Sequence, residues 1–345
     1  MGRSPTAVCV GESMAALVPD QAGPLEDVAT FHQSIGGAEA NVARGLAALG
    51  VRAAWVGRVG ADGFGRRIIR RLAAEGVDTS AVIVDPSRPT GLYVKEIGVD
   101  GSALHYYRAG SAASALGPEL LDDQAAGRMF ADAALIHVSG ITAALSDSAL
   151  DLLHTIMRRR SPGQLVSFDL NWRPALWHGR DPSVLRSLLN AADIALLGAD
   201  EAIQVFGTGS PETLRALLPG PATLVIKDDA HLATAIDRTG VTAEPPLAVE
   251  VVEPIGAGDA FAAGYLAGTL HGYGQCRRLR LGHLMAAATL VVHGDHGAPP
   301  PVQVVDALLA SSPGEWGAAT VSAAGVHRVD EHQVGVHRVD EREAQ

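Results

Sequence analysis

Cysteine, aromatic side chains, positive charge and long apolar runs are all scarce in this 345-residue chain. Each scarcity excludes something. The two cysteines, Cys9 and Cys276, lie far apart and match no metal-ligand spacing, so free thiols in a reducing compartment are expected rather than a disulfide framework or a cysteine metal centre. Aromatics make up 4% of a chain that is 47% hydrophobic, so the core should be built of Ala, Val and Leu on many helices and strands. A formal net charge of −11 argues against a broad nucleic-acid surface, while a local group of arginines could still receive a small anion. Nowhere do eighteen apolar residues run uninterrupted, and MGRSPTAVCVGESMAALVP holds no apolar stretch long enough for a signal peptide. The expectation is a cytoplasmic protein with no membrane span, whose partners are small molecules.

What the chain does have is alternation. Short strand-like runs (AVCVGE, AAWVGRVG) interleave with helical patterns (AEANVARGLAALG, GFGRRIIRRLAAEG) that stop at Gly50 and Gly76. The alternation returns in ALIHVSG, SALDLLHTIMRRR, QLVSFDL, DPSVLRSLLN, ADIALLG and TLVIK. It predicts an α/β fold: a mostly parallel sheet with helices on both faces, binding ligands beyond the carboxyl ends of its strands.

One stretch breaks the pattern. TGLYVKEIGVDGSALHYYR reads as two strands around Asp100-Gly101 with no helix nearby. Segments of about 13–34 and 88–110 are expected to form a small separate sheet, a lid over the main one. Tyr93, Tyr106, Tyr107 and Arg108 then face a ligand, or else pack on the body as in an ordinary surface hairpin. After the helical VQVVDALLA the domain is expected to close near residue 312. GVHRVDE occurs at 325–331 and again at 335–341, and 313–345 reads as a disordered polar tail despite His327, His332 and His337.

The run VEVVEPIGAGDAFAAGYLAG carries the chemistry. A strand ending near Val252 runs into Gly256-Ala257-Gly258, and a helix begins at about Asp259. Backbone N–H groups converging at the positive end of a helix form an anion hole that would stabilise charge on a transferring phosphoryl. Asp259 stands where a carboxylate could take the proton of an attacking hydroxyl. By spacing alone, a capped helix start accounts for these residues as well. The chain lacks G-x-x-x-x-G-K-[ST] and the protein-kinase motifs, and its first turn lacks G-x-G-x-x-G. P-loop enzymes and protein kinases are thereby excluded, and a dinucleotide-binding dehydrogenase is weakened.

GAGDAFAAG resembles the C-terminal signature of the PfkB carbohydrate-kinase family, and IGGAEANVARGLAALG with GRVGADGFG resembles its N-terminal signature. The similarity continues through GLYVKE, YYRAGSAASAL, HVSGITAALS, DLNWRPALW and GDHGAP. It covers about residues 5–310 and is similar to 2-keto-3-deoxygluconate kinases in particular. The resemblance implies a three-layer α/β/α ribokinase-like domain over 1–312 with a small β-sheet lid. It also implies ATP with Mg²⁺, and phosphorylation of 2-dehydro-3-deoxy-D-gluconate at its 6-hydroxyl.

Carried over residue by residue, it implies that Gly37 and Asn41 touch the sugar, with Tyr93, Tyr106, Tyr107 and Arg108 reaching it from the lid and Arg173 and Asp295 from the body. Asp259 would be the base, with the amides of Gly256, Ala257 and Gly258 around the γ-phosphoryl. Asn171 and Lys227 would line the nucleotide side, and Glu201 and Glu253 would hold Mg²⁺ through water. Chemistry adds its own reason for the arginines, because a guanidinium fork matches the carboxylate of a sugar acid. A surface ion pair is the alternative for each.

Three departures from the family pattern stand out. Glu253 replaces the usual Asp, Gly198 stands where Asn is common, and Lys227-Asp-Asp-Ala-His-Leu232 lacks both glycines of K-x-G-x-x-G, bringing Asp229 toward the phosphates. They leave open a fructokinase, a ribokinase, a 2-keto-3-deoxygalactonate kinase or a catalytically weak sugar-binding regulatory paralogue. The lid's strand edges could also pair copies into a homo-oligomer.

Overall fold

The computed structural model describes residues 6–98, 101–228 and 231–328. Asp100, Asp229, His332 and His337 lie outside the described residues, as does the second GVHRVDE copy.

Strand β1 (Thr6–Val10) leads directly into β2 (Met14–Pro19) and β3 (Phe31–Gly36), and helix α1 (Ala38–Ala48) returns the chain to β4 (Arg52–Val56). A two-stranded ribbon of β5 (Arg58–Gly60) and β6 (Ile83–Asp85) brackets α2 (Gly63–Ala74), and the hairpin β7 (Leu92–Gly98) and β8 (Gly101–Tyr107) follows. Next come α3 (Gln124–Asp132), β9 (Leu135–Ser139), α4 (Gly140–Leu145), α5 (Asp147–Arg158), β10 (Leu165–Asp169) and α6 (Val184–Ala191). They are followed by β11 (Ile194–Gly198), α7 (Ala199–Phe206), α8 (Pro211–Leu217), β12 (Thr223–Asp228), β13 (Leu232–Asp237) and β14 (Gly240–Glu244). The last part holds β15 (Ala248–Val249), α9 (Ala257–Leu270), α10 (Gln275–Leu290), α11 (Val302–Leu309), α12 (Pro313–Gly317), β16 (Ala319–Ser322) and β17 (Gly325–Arg328).

The main sheet has eight strands in the order β14-β13-β12-β11-β10-β9-β1-β4. From β12 to β4 every pairing is parallel, and at the other edge β12 with β13 and β13 with β14 pair antiparallel. Its central strands are buried almost without break because helices cover both faces. The period of two then sorts side chains between two apolar layers. Ala7, Cys9, Ala53 and Trp55 join Leu46, Phe261 and Leu284 on one face, while Val8, Val10, Ala54 and Val56 join Leu152, Leu153 and Leu188 on the other. This is the three-layer α/β arrangement that the alternation predicts. Both cysteines are free, and burial pushes the Cys9 thiol well up.

A separate four-stranded sheet has the order β3-β2-β7-β8. In it β2 pairs antiparallel with β3 and parallel with β7, and β7 pairs antiparallel with β8 so that Tyr93 lies opposite Tyr106. Its strands reach back to Gly36, immediately before α1, so this sheet and the first helix of the body share one short connection.

The polar tail expected over 313–345 is corrected for 313–328, and the rest lies outside the described residues. Trp316 on α12 is fully buried, its Nε1 donates to Pro245 O at 2.9 Å, and the Arg280 guanidinium stacks 5.0 Å from its ring centroid. Strand β16 pairs with β15 and with β17, which is the start of the first GVHRVDE copy. One aromatic anchor, one non-local strand pairing and one local hairpin outweigh the polar composition. His327 shares a hydrogen bond with Ser322 Oγ, and among the described residues no cluster of three or more His, Cys, Asp or Glu is placed to hold a metal. No helix among the described residues is long and apolar enough to cross a membrane.

Candidate active site

A cleft of about 810 Å³ opens between the carboxyl ends of β10, β11 and β12 and the inner face of the four-stranded sheet. It brings together residues from the whole length of the chain: Gly37 and Asn41 from α1, Asn171 and Arg173 following β10, Glu201 on α7, Lys227 on β12, and Gly256, Gly258 and Asp259 from α9. Tyr93, Tyr106 and Arg108 close it from the lid side, and Asp295 lies beside Asn41.

Gly256 caps α9 with φ of 84°, and a Cβ there would stand 2.1 Å from Asp295 O, so glycine is required twice over. Three residues later Asp259 stands half-buried at the start of the helix. Its Oδ2 accepts from Asn41 Nδ2 at 3.0 Å and its Oδ1 from Asn171 Nδ2 at 3.3 Å. Burial pushes its pKa up to about 6, against the pull of the Asn41 hydrogen bond and the charge of Arg173. That value leaves the carboxylate mostly ionised near neutrality yet basic enough to take a proton. Asn171 holds its position with φ of 37°, a left-handed conformation that Asn tolerates better than most side chains. Asn171, expected to line the nucleotide side, lines the cleft, and its amide orients Asp259.

Gly258 and Gly256 line the cleft at the helix terminus. Ala257 is not among the lining residues, and its N–H makes a long contact of 3.4 Å to Pro254 O. Beside Gly258, Lys227 Nζ lies 3.7 Å from where a Cβ would project, close enough to add a full positive charge to the amides. Lys227 is itself held by Asp169 at 3.0 Å and 3.3 Å. Burial works to lower its pKa, but Asp169 and Glu201 outweigh burial and raise it, so it stays charged. Glu201 lines the cleft and also caps its own helix, accepting from the N–H groups of Gly198 (3.0 Å) and Trp172 (3.1 Å) and from Arg173 Nη1 (3.4 Å). Burial raises its pKa, opposed chiefly by Lys227.

On the lid, Tyr93 is buried and its ring centroid lies 5.9 Å from that of Tyr106. Tyr107 is 62% exposed and does not line the cleft, a correction that follows from strand alternation, since neighbours on β8 point to opposite faces. Arg108 lines the cleft, lies 5.7 Å from the Tyr106 centroid and pairs with buried Glu12, which also accepts from Ser111 Oγ at 2.7 Å. Its Nε has no hydrogen-bond partner among the described residues. Arg173 is half exposed and only loosely paired with Glu201. Glu253 does not reach the cleft. It is buried and paired with Lys95 of β7, which corrects its expected position near a metal-bound water.

Sequence reasoning missed the acids and bases that neutralise the named residues: Glu12 for Arg108, Asp169 for Lys227, Lys95 for Glu253 and Arg44 for Asp295. Arg44 pairs with Glu75 at 2.5 Å and lies 3.6 Å from Asp295. Glu39, fully buried on the first turn of α1, accepts from Ser139 and Thr142 at 2.6 Å each, and burial pushes its pKa up to about 7. Polar residues inside buried runs, such as Glu12 after AVCVG and Glu39 within IGGAEAN, were the available signal.

A half-buried carboxylate held by two amides, at a glycine-opened helix terminus under a β lid, suits a phosphotransferase of the sugar-kinase class. The signature described as pfkB family carbohydrate kinase matches residues 4–301, and the chain belongs to that family. Among curated relatives, 2-dehydro-3-deoxygluconokinase of Thermoproteus tenax is 36% identical over 312 residues, covering 88% of this chain and 93% of the relative. The protein of that name from Bacillus subtilis (strain 168) is 36% identical over 300 residues, covering 84% and 90%. Among solved structures, a fructokinase with bound ATP from Xylella fastidiosa matches with a TM-score of 0.76 at 27% identity, covering 87% of this chain and 96% of that one. The chain is a sugar kinase.

Proposed function

We propose that this sugar kinase transfers the γ-phosphoryl of ATP to the 6-hydroxyl of 2-dehydro-3-deoxy-D-gluconate. The observation that carries the transfer chemistry is Asp259, half-buried at the start of α9 and held by Asn41 and Asn171 with Lys227 beside Gly258. Asp259 takes the hydroxyl proton, and the helix-terminal amides with Lys227 meet the charge on the phosphoryl, a reaction that needs mainly positioning and electrostatics. Mg²⁺ comes with the nucleotide, and Glu201 and Asp169 are hard carboxylate donors suited to holding it through water. The substrate class rests on the two arginines of the cleft, on Arg108 Nε, which has no hydrogen-bond partner among the described residues, and on the relatives named 2-dehydro-3-deoxygluconokinase at 36% identity.

A coupled ADP-release assay tests the reading across 2-dehydro-3-deoxygluconate, its galactonate epimer, fructose and ribose. The gluconate acid should give the highest kcat/KM. Preference for fructose would move the chain to the fructokinases, and no turnover with any sugar would favour a sugar-binding regulatory paralogue.

A further inference from the structure

The lid and the phosphate end of the cleft are joined by a buried ion pair that the transfer chemistry does not use. On β7, Tyr93 and Lys95 share a face, so the strand that puts Tyr93 against the sugar end carries Lys95 toward the body. The Lys95 ammonium meets the carboxylate of Glu253, with both side chains about nine-tenths buried. Glu253 opens the segment Glu253-Pro254-Ile255-Gly256, which becomes the helix-terminal loop of α9. That segment is pinned from behind, where the N–H groups of Val252 and Glu253 donate to Leu290 O at 2.8 Å and 3.2 Å, and Ile255 N–H reaches back to Glu253 Oε1 at 3.5 Å. Pro254, Ile255 and Gly256 in turn line the cleft.

The geometry points to Lys95 and Glu253 as a positioning pair that couples closure of the lid on the sugar to the shape of the phosphate-binding loop. It explains the departure at position 253, because a side chain one methylene shorter than Glu would withdraw the carboxylate from Lys95. The energetics suit a reversible contact. A buried pair nearly breaks even, since desolvation of both ions offsets their attraction, so closure is poised rather than locked and a bound ligand can tip it. Lys95 and Glu253 are positioning residues here, since neither lines the cleft.

The consequence is reciprocal coupling between the two ligands, and this rests on the sugar-kinase reading above. The test measures, in the full chain, the affinity of a non-hydrolysable ATP analogue with Mg²⁺ by calorimetry, without and with 2-dehydro-3-deoxygluconate. Wild type should bind the nucleotide roughly tenfold tighter with sugar present. Lys95→Met, Glu253→Gln and Glu253→Asp should each bring that factor to within about twofold, and the double variant Lys95→Met/Glu253→Gln should lose no more than either single. The double variant also avoids leaving one buried charge unpaired. An undiminished factor in the single variants, or losses that multiply in the double, would overturn the proposal.

Hydrogen exchange of the unliganded protein separates this result from failure of the substrate reading. If wild type binds no sugar acid, the substrate class falls, and exchange still decides the pair. Amides of β7 and β8 exchanging about fivefold faster in both single variants, with β9 and α9 unchanged, support it, and identical exchange overturns it.

Discussion

Asn41 holds two carboxylates at once, its Nδ2 donating to Asp259 Oδ2 at 3.0 Å and to Asp295 Oδ2 at 3.2 Å. The orientation of the amide is set from the other side, where Arg44 Nη1 donates to Asn41 Oδ1 at 3.3 Å. A guanidinium can only donate, so the oxygen must face Arg44 and the nitrogen must face the acids. Asn41→Ala removes a hydrogen bond that favours ionised Asp259, so the pKa of that group should rise above its present value of about 6. The base works deprotonated, so the acid limb of the kcat/KM profile should move to higher pH. An acid limb left in place would remove Asn41 from the control of Asp259.

Asp259→Asn should lower kcat by roughly 10² to 10⁴ while leaving sugar binding nearly intact. It should also change stability in a defined direction. Burial raises the folded pKa of Asp259 from 3.8 to about 6, so the native state binds the extra proton and stability is lost as pH rises through that window. The neutral variant escapes this loss. Thermal melts at pH 8 should show the variant more stable than wild type, on the order of 1–3 kcal/mol, with the gain shrinking toward pH 4. Near-normal turnover would eliminate Asp259 as the base.

The arginines of the cleft differ in how far they are already neutralised. Arg108 is buried against Glu12, whereas Arg173 is half exposed and loosely held by Glu201. If both meet a substrate carboxylate, Arg108→Ala and Arg173→Ala should each narrow the preference for 2-dehydro-3-deoxygluconate over fructose. A site built around such groups penalises a neutral competitor that leaves them unpaired. The measurement is kcat/KM for both sugars in the three proteins. Equal losses on both sugars would mean that the arginines only maintain ion pairs.

Trp316 tests whether 313–328 belongs to the domain. Its ring is fully buried, donates to Pro245 O and stacks on Arg280. Trp316→Ala should cost about 3–5 kcal/mol in denaturant unfolding with m unchanged. A cost under about 0.5 kcal/mol would return the segment to the status of a dispensable tail.

The layered fold and the phosphate loop were legible because their causes are local. Strand runs buried on both faces read as continuous apolar segments, and the Gly256 to Asp259 turn needs its glycine within a few residues of the helix it opens. Tyr107 was misread, although strand alternation alone separates it from Tyr106, since adjacent residues of one strand face opposite sides. The segment 313–328 was misread because its polar composition hid one buried Trp and pairings with β15, far back along the chain.

By itself the sequence determined the α/β alternation, the helix terminus at Gly256, the identity of Asp259 and the family that its two signatures mark. Only the tertiary structure decided which polar groups meet which: Asn41 with Asp259 across 218 positions, Asn171 with Asp259 across 88, and Lys95 with Glu253 between lid and body. Helix and strand periods act over a few residues, so they can be read along the chain. Electrostatic and hydrogen-bond partners are chosen by distance in space, which the chain acquires only when its layers have packed.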